Sequence, residues 1–90
     1  MYYVYLLKCA DDSLYCGITT DLQRRLSEHN TSKKGAKYTK SRRPVKLMWY
    51  QSVENRSAAL KMEIEIKKYS RQAKIVLCQS PDNPVLTESA

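Results

Sequence analysis

The sequence predicts one α+β domain: a small three-stranded antiparallel or mixed sheet flanked by helices, in the order β-β-α-α-β-α-α. Three observations predict it. The 90 residues are enough for one domain and not for two. Only 2 glycines and 3 prolines punctuate the chain, so most of it should be regular. Short runs dense in Tyr, Val and Leu alternate with segments whose apolar residues recur at helical spacing, a mixture that packs as helices on a sheet.

Residues 2–9, YYVYLLKC, are apolar on both alternating faces, as a central strand covered on both sides would be. Turn formers at 10–13 and a second apolar run at 14–19, LYCGIT, complete a hairpin. Its loop has two readings. A two-residue turn at Asp11-Asp12 puts Tyr5 and Tyr15 on opposite faces. A three-residue loop, Ala10 to Asp12, sets Tyr5 against Gly17 and Leu7 against Tyr15; both tyrosines then share a face, with open space at the glycine. The longer loop wants a left-handed residue at Asp12.

Thr20 with Gln23 forms a capping box ahead of Leu22 and Leu26, which predicts a helix over 21–30. A polar, basic stretch over 31–43 should hold a short helix or ordered loop at 36–41. Pro44 opens a third strand, VKLMWYQSV, placed beside the first by topology rules. Asn55 or Ser57 caps a longer helix reaching Tyr69, and Ser70 starts another that ends near Cys78. Residues 79–90, QSPDNPVLTESA, read as a flexible C-terminal tail, which leaves 1–78 as the domain.

Composition narrows the function classes. The 16 Lys and Arg against 9 Asp and Glu give a net charge of +7, which favours a polyanionic partner. No apolar run approaches the ~20 residues of a membrane span. The opening segment has neither the basic leader nor the small-residue cleavage site of a secretory signal. Cys9, Cys16 and Cys78 are odd in number, without C-x-x-C spacing, and the single histidine argues against structural zinc. They read as buried reduced thiols, and the expected location is cytoplasmic. So small a core leaves no room for a deep cavity, so an active site should be a shallow groove.

Four features carry chemistry. On a helical wheel at about 100° per residue, Glu63 falls in the middle of the apolar arc that holds Ala59, Met62 and Ile66, whereas Glu65 lies on the solvated face. A carboxylate aimed at the core needs either a buried salt bridge, to an arginine, or a metal. Tyr5 and Tyr15 form the second feature, with core packing as the alternative. Arg25 and His29, four apart, share a helical face at the edge of the buried side; local surface bonding with Glu28 and Asn30 would equally explain the histidine. The fourth is Lys33, Lys34, Lys37, Lys40, Arg42, Arg43 and Lys46, cations with no acid among them, beside Tyr38. Such a run reads as a surface for phosphate backbone, or as a merely solvated loop.

Taken together, Tyr3-Val4-Tyr5, Tyr15-Cys16-Gly17, Arg25 ten residues after Tyr15, His29 four later and Glu63 on a late helix resemble the GIY-YIG endonuclease domain family. The stretch GAKYTKSRRPVKL at 35–47 resembles its small stand-alone bacterial, YhbQ-like members. The resemblance covers residues 2–75. It implies a three-stranded sheet flanked by helices and Tyr5 and Tyr15 on one face, favouring the three-residue loop. It also implies a metal-dependent endonuclease hydrolysing phosphodiester bonds in DNA, with a single Mg²⁺ or Mn²⁺ held by Glu63. Tyr5 would act as general base or orient the attacking water, and Tyr15 would position the phosphate or support Tyr5. Arg25 would neutralise charge on the phosphoryl oxygens, and His29 would bind phosphate or relay a proton.

The pattern departs from the family at Tyr3, where the motif name has glycine, and at Cys16. Ile18 stands where excision-repair nucleases of the family carry lysine. Those nucleases, and the homing ones, join the domain to a separate DNA-recognising domain. None is visible here, so low sequence specificity is expected, in DNA repair or nucleic-acid turnover, with RNA as the other target and the protein a monomer. Two competing readings are a nucleic-acid-binding module of the same fold that cuts little or not at all, and a protein that docks a repair partner.

Overall fold

A computed structural model describes residues 1–88. Strands β1 (Tyr2–Lys8), β2 (Leu14–Thr19) and β3 (Lys46–Val53) form an antiparallel sheet in the order β2-β1-β3. Around it lie α1 (Leu22–Thr31), α2 (Lys37–Lys40), α3 (Arg56–Lys67), α4 (Arg71–Gln79) and the short α5 (Pro84–Glu88). No helix among the described residues is long and apolar enough to cross a membrane.

The doubly apolar first strand is central, as its pattern predicts: Val4, Tyr5, Leu6 and Leu7 are all buried. Alternation sends them to two cores. Val4, Leu6, Cys16 and Trp49 pack with Ala59 and Ile66 of α3 and Cys78 of α4. Tyr5, Leu7, Cys9 and Val45 pack on the other face with Leu22 and Leu26 of α1. A bulge in the β1–β3 pairing, where Leu6 faces Trp49 but Leu7 faces Leu47, makes Met48 the extra residue. All three cysteines are free and buried.

The hairpin takes the three-residue loop. Tyr5 pairs with Gly17 and Leu7 with Tyr15, and Asp12 turns left-handed at φ 67°. Hydrogen bonds from Cys9 N to Ser13 O and from Asp12 N to Cys9 O, both 2.9 Å, close the loop. Aspartate reaches that region at modest cost.

Two local expectations are corrected. The cap of α1 is Asp21, whose carboxylate accepts from Arg24 N at 3.1 Å, and not Thr20; Thr20 lies one residue too early for its side chain to meet the first turn. Of the two candidate caps for α3, Asn55 serves, and Ser70 caps α4 as expected. Residues 79–88 also depart from the loose tail. Asn83 is fully buried, and its Nδ2 donates to Met48 O and Cys78 O, both at 2.8 Å, while α5 packs on β3. The tie is polar and non-periodic, so hydropathy does not reveal it. Residues 89–90, the rest of that stretch, lie outside the described residues.

Candidate active site

The shared face of β1 and β2 positions the site. Tyr5 is 2% exposed, and its ring lies over Gly17, filling the space the missing side chain leaves. Its hydroxyl meets His29 Nε2 at 2.9 Å. His29, on the inward stripe of α1, is wholly buried, so the surface-bonding explanation for it falls. Its Nδ1 meets Thr39 Oγ1 at 2.8 Å, and Thr39 Oγ1 donates to Ala36 O at 2.9 Å. Thr39, on the one inward position of α2, was not foreseen: KYTK reads as polar surface, and nothing in its spacing marks the third residue as buried.

At the mouth, Arg25 is about a quarter exposed. Its Nη1 donates to Glu28 Oε1 at 3.0 Å and to Lys34 O at 2.9 Å, and its charge acts on the Tyr5 hydroxyl. Tyr15 packs edge-on to His29, with centroids 5.3 Å apart, and stacks on Tyr38 at 5.8 Å. Arg42 covers the Tyr38 ring at 3.9 Å and is paired with Asp11 at 2.9 Å. Lys33, Lys34, Lys37 and Lys40 are exposed.

Arg43 leaves the phosphate-contact set. Its guanidinium donates to the carbonyls of His29, Glu28 and Ser32, closing the end of α1 and holding the loop that follows. Gly35 lies in the same place because a Cβ there would come within 2.8 Å of Glu28 O. Two residues of the basic stretch thus hold α2 and Thr39 against His29.

Glu63 stands apart from this network. The buried stripe of α3 is narrower than the wheel implies, because Ile64 is 53% exposed; Glu63 sits at its edge with 17% exposure. Its partner is not an arginine but Lys67 of the next turn, at 3.6 Å. α3 packs against β2 from the face opposite the tyrosines, and Glu63 helps, after burial itself, to push the Cys16 thiol up to about 12. The two halves therefore flank edge strand β2. Among the described residues no three His, Cys, Asp or Glu side chains converge. A single carboxylate fits a hard cation that keeps most of its water, Mg²⁺ or Mn²⁺, and does not fit a metal caged by protein ligands.

Burial dominates the electrostatics. It pushes the Tyr5 phenol up to about 12, with Arg25 pulling the other way. It depresses the His29 imidazole to about 4, helped by the charges of Arg25 and Arg43. His29 is therefore neutral in the folded protein near pH 7. Because its folded value lies below the unfolded 6.5, its contribution to stability is intact above that pH and declines as pH falls toward 4. The expected loss by pH 4 is about 3 kcal/mol. Urea unfolding across that range should show it, and His29→Gln should flatten the curve; parallel curves for both proteins would remove His29 as the cause.

Comparison with known proteins identifies the family. The GIY-YIG catalytic domain model matches residues 1–75, and the chain belongs to that family. Among its members, the chain is similar to small stand-alone UPF0213 proteins. The one from Syntrophus aciditrophicus is 53% identical, over 89% of this chain and 93% of its own. The one from Haloquadratum walsbyi is 50% identical, over 87% and 86%. Among solved structures, a UPF0213 protein from Bacillus halodurans superposes with a TM-score of 0.56 at 42% identity, covering 88% of this chain and 84% of that one. A protein from E. faecalis gives 0.57 at 47% identity, covering 81% and 77%. The family is one of nuclease type, and its substrate class is nucleic acid.

Proposed function

We propose that the protein is an endonuclease that hydrolyses phosphodiester bonds in DNA with a single Mg²⁺ or Mn²⁺ and little sequence preference. The observation that carries this is the buried hydrogen bond between Tyr5 and His29, with Arg25 beside it at the surface. Burial alone would make that pair a core contact; the partly exposed cation beside the phenol is what supports a phosphate within its reach.

The attacking water gives a proton to Tyr5 Oη as Tyr5 passes its own to His29 Nε2. The P–O bond to the water oxygen forms as the P–O bond to the leaving oxygen breaks, and the leaving oxygen takes its proton from solvent to become a hydroxyl. With the phenol near 12 and the imidazole near 4, this relay is unfavourable in the empty protein. A phosphate at Arg25 brings the negative charge that raises the imidazole. Arg25 meets the charge that develops on the phosphoryl oxygens, for which a forked guanidinium is suited. Tyr15, held between His29 and Tyr38, supports the phosphate. Glu63 would hold the ion, which supplies Lewis-acid polarisation of the phosphoryl oxygen and stabilisation of the leaving oxygen. Lys33, Lys34, Lys37, Lys40 and, beside them, Tyr38 and Arg42 track the backbone, contacts that position without reading bases. Cytoplasmic DNA repair or turnover is the setting that suits buried free thiols and such low selectivity.

The test is a panel of single-stranded, duplex, flapped and branched DNA with Mg²⁺ or Mn²⁺, comparing the protein with Glu63→Gln. Cutting that needs metal and disappears in the variant is expected. Equal cutting by both removes Glu63 as the ligand. Binding without cutting by either protein replaces the nuclease with a binding module.

A further inference from the structure

The sequence constellation ends at His29, but the hydrogen-bond chain does not. We propose that Thr39 is a positioning residue that fixes His29 in the Nδ1–H tautomer, so that its Nε2 lone pair faces the Tyr5 hydroxyl. The proposal rests on the nuclease reading for its purpose, and on geometry alone for the tautomer.

A threonine hydroxyl has one proton. Thr39 Oγ1 has two neighbours that can take it, Ala36 O at 2.9 Å and His29 Nδ1 at 2.8 Å. If it went to His29, then Nε2 would carry the ring proton and donate to Tyr5 Oη. The Tyr5 oxygen would then accept from His29, with its own proton unplaced on a residue 2% exposed. If the proton goes to Ala36 O, every group is satisfied in one direction. Tyr5 O–H donates to His29 Nε2, His29 Nδ1–H donates to Thr39 Oγ1, and Thr39 O–H donates to Ala36 O. No buried side-chain polar atom among the described residues lacks a partner. An unplaced buried donor favours the Nδ1–H tautomer by roughly 5- to 150-fold.

Only this direction gives Tyr5 a base to discharge into. It also ties the relay to the substrate surface. Lys37, Tyr38 and Lys40 are exposed on the same single turn whose inward residue is Thr39. Contacts made by α2 to phosphate therefore bear on the far end of the relay.

His29 is the chain's one histidine, so its ring nitrogens give an unambiguous ¹⁵N NMR signature. In the unmodified protein at pH 7, Nδ1 is expected to be of the protonated type and Nε2 of the lone-pair type. Thr39→Val keeps the shape and removes the acceptor, and should move the ring toward Nε2–H. Thr39→Ser should restore the original pattern. Cleavage should fall roughly 10- to 100-fold in the valine variant, with DNA affinity unchanged, and recover in the serine variant; this is the usual range for a group that orients another. An Nε2–H ring in the unmodified protein overturns the proposal, and so does a ring unchanged by valine. Should Thr39→Val fail to fold, the unmodified protein and Thr39→Ser still decide the tautomer. A protein that cuts nothing but shows the expected ring pattern refutes the nuclease reading and leaves the tautomer assignment standing.

Discussion

Arg25→Ala is expected to lower the cleavage rate by about 10²–10³-fold, the range for removal of a charge-stabilising donor from a preorganised site. Two losses coincide. The phosphoryl oxygens lose their forked partner, and Tyr5 loses the neighbouring cation that opposes the effect of burial on its phenol. The side chain's own anchors, Glu28 and the Lys34 carbonyl, already hold it at the mouth, so little ordering remains to be done when substrate arrives. DNA affinity should change far less, because Lys33, Lys34, Lys37 and Lys40 stay exposed and in place. Rates under saturating DNA, set beside binding by anisotropy, separate the two effects. Equal losses in both would make Arg25 an ordinary phosphate anchor.

Gly17→Ala should be equally damaging through packing alone. A Cβ at residue 17 would lie 2.6 Å from Tyr5 Cζ, and closer still to the hydroxyl oxygen. The Tyr5 ring is buried and tied to His29, so it cannot turn away without breaking that bond. Overpacking of this kind costs about 1–3 kcal/mol. The expected variant is folded, melts at lower temperature, binds DNA and does not cut. Full activity in it would mean that the hydroxyl is not needed where it stands.

Much of this was legible in the chain, for identifiable reasons. Strands and helices follow burial, and burial leaves a trace: an unbroken apolar run for Val4 to Leu7, which are covered on both faces, and a spacing near four for Leu22 and Leu26. The grouping of Tyr5, Tyr15, Arg25 and His29 came from its resemblance to the GIY-YIG family, since each residue by itself reads equally well as packing or surface; the structure brings Tyr5, Tyr15 and His29 into contact. Whether the tyrosines share a face depended on one left-handed residue, Asp12, which hydropathy cannot reveal. Thr39 and Asn83 were missed, and Arg43 was given phosphate as its partner, for a common cause. Each makes side-chain hydrogen bonds to partners distant in the chain, and a polar side chain that finds its partner inside looks, in sequence, like one that finds water. For Glu63 the wheel gave the inward direction but not the width of the buried stripe, which depends on how far α3 leans on β2.

β2 pairs with β1 alone and so forms one edge of the sheet. An uncovered edge invites pairing with another copy of itself, the route by which sheets aggregate. Here a net charge of +7 opposes the approach of a second copy. A bound polyanion would cancel that repulsion, so light scattering is expected to rise with DNA load, the condition under which this edge first betrays itself by self-association.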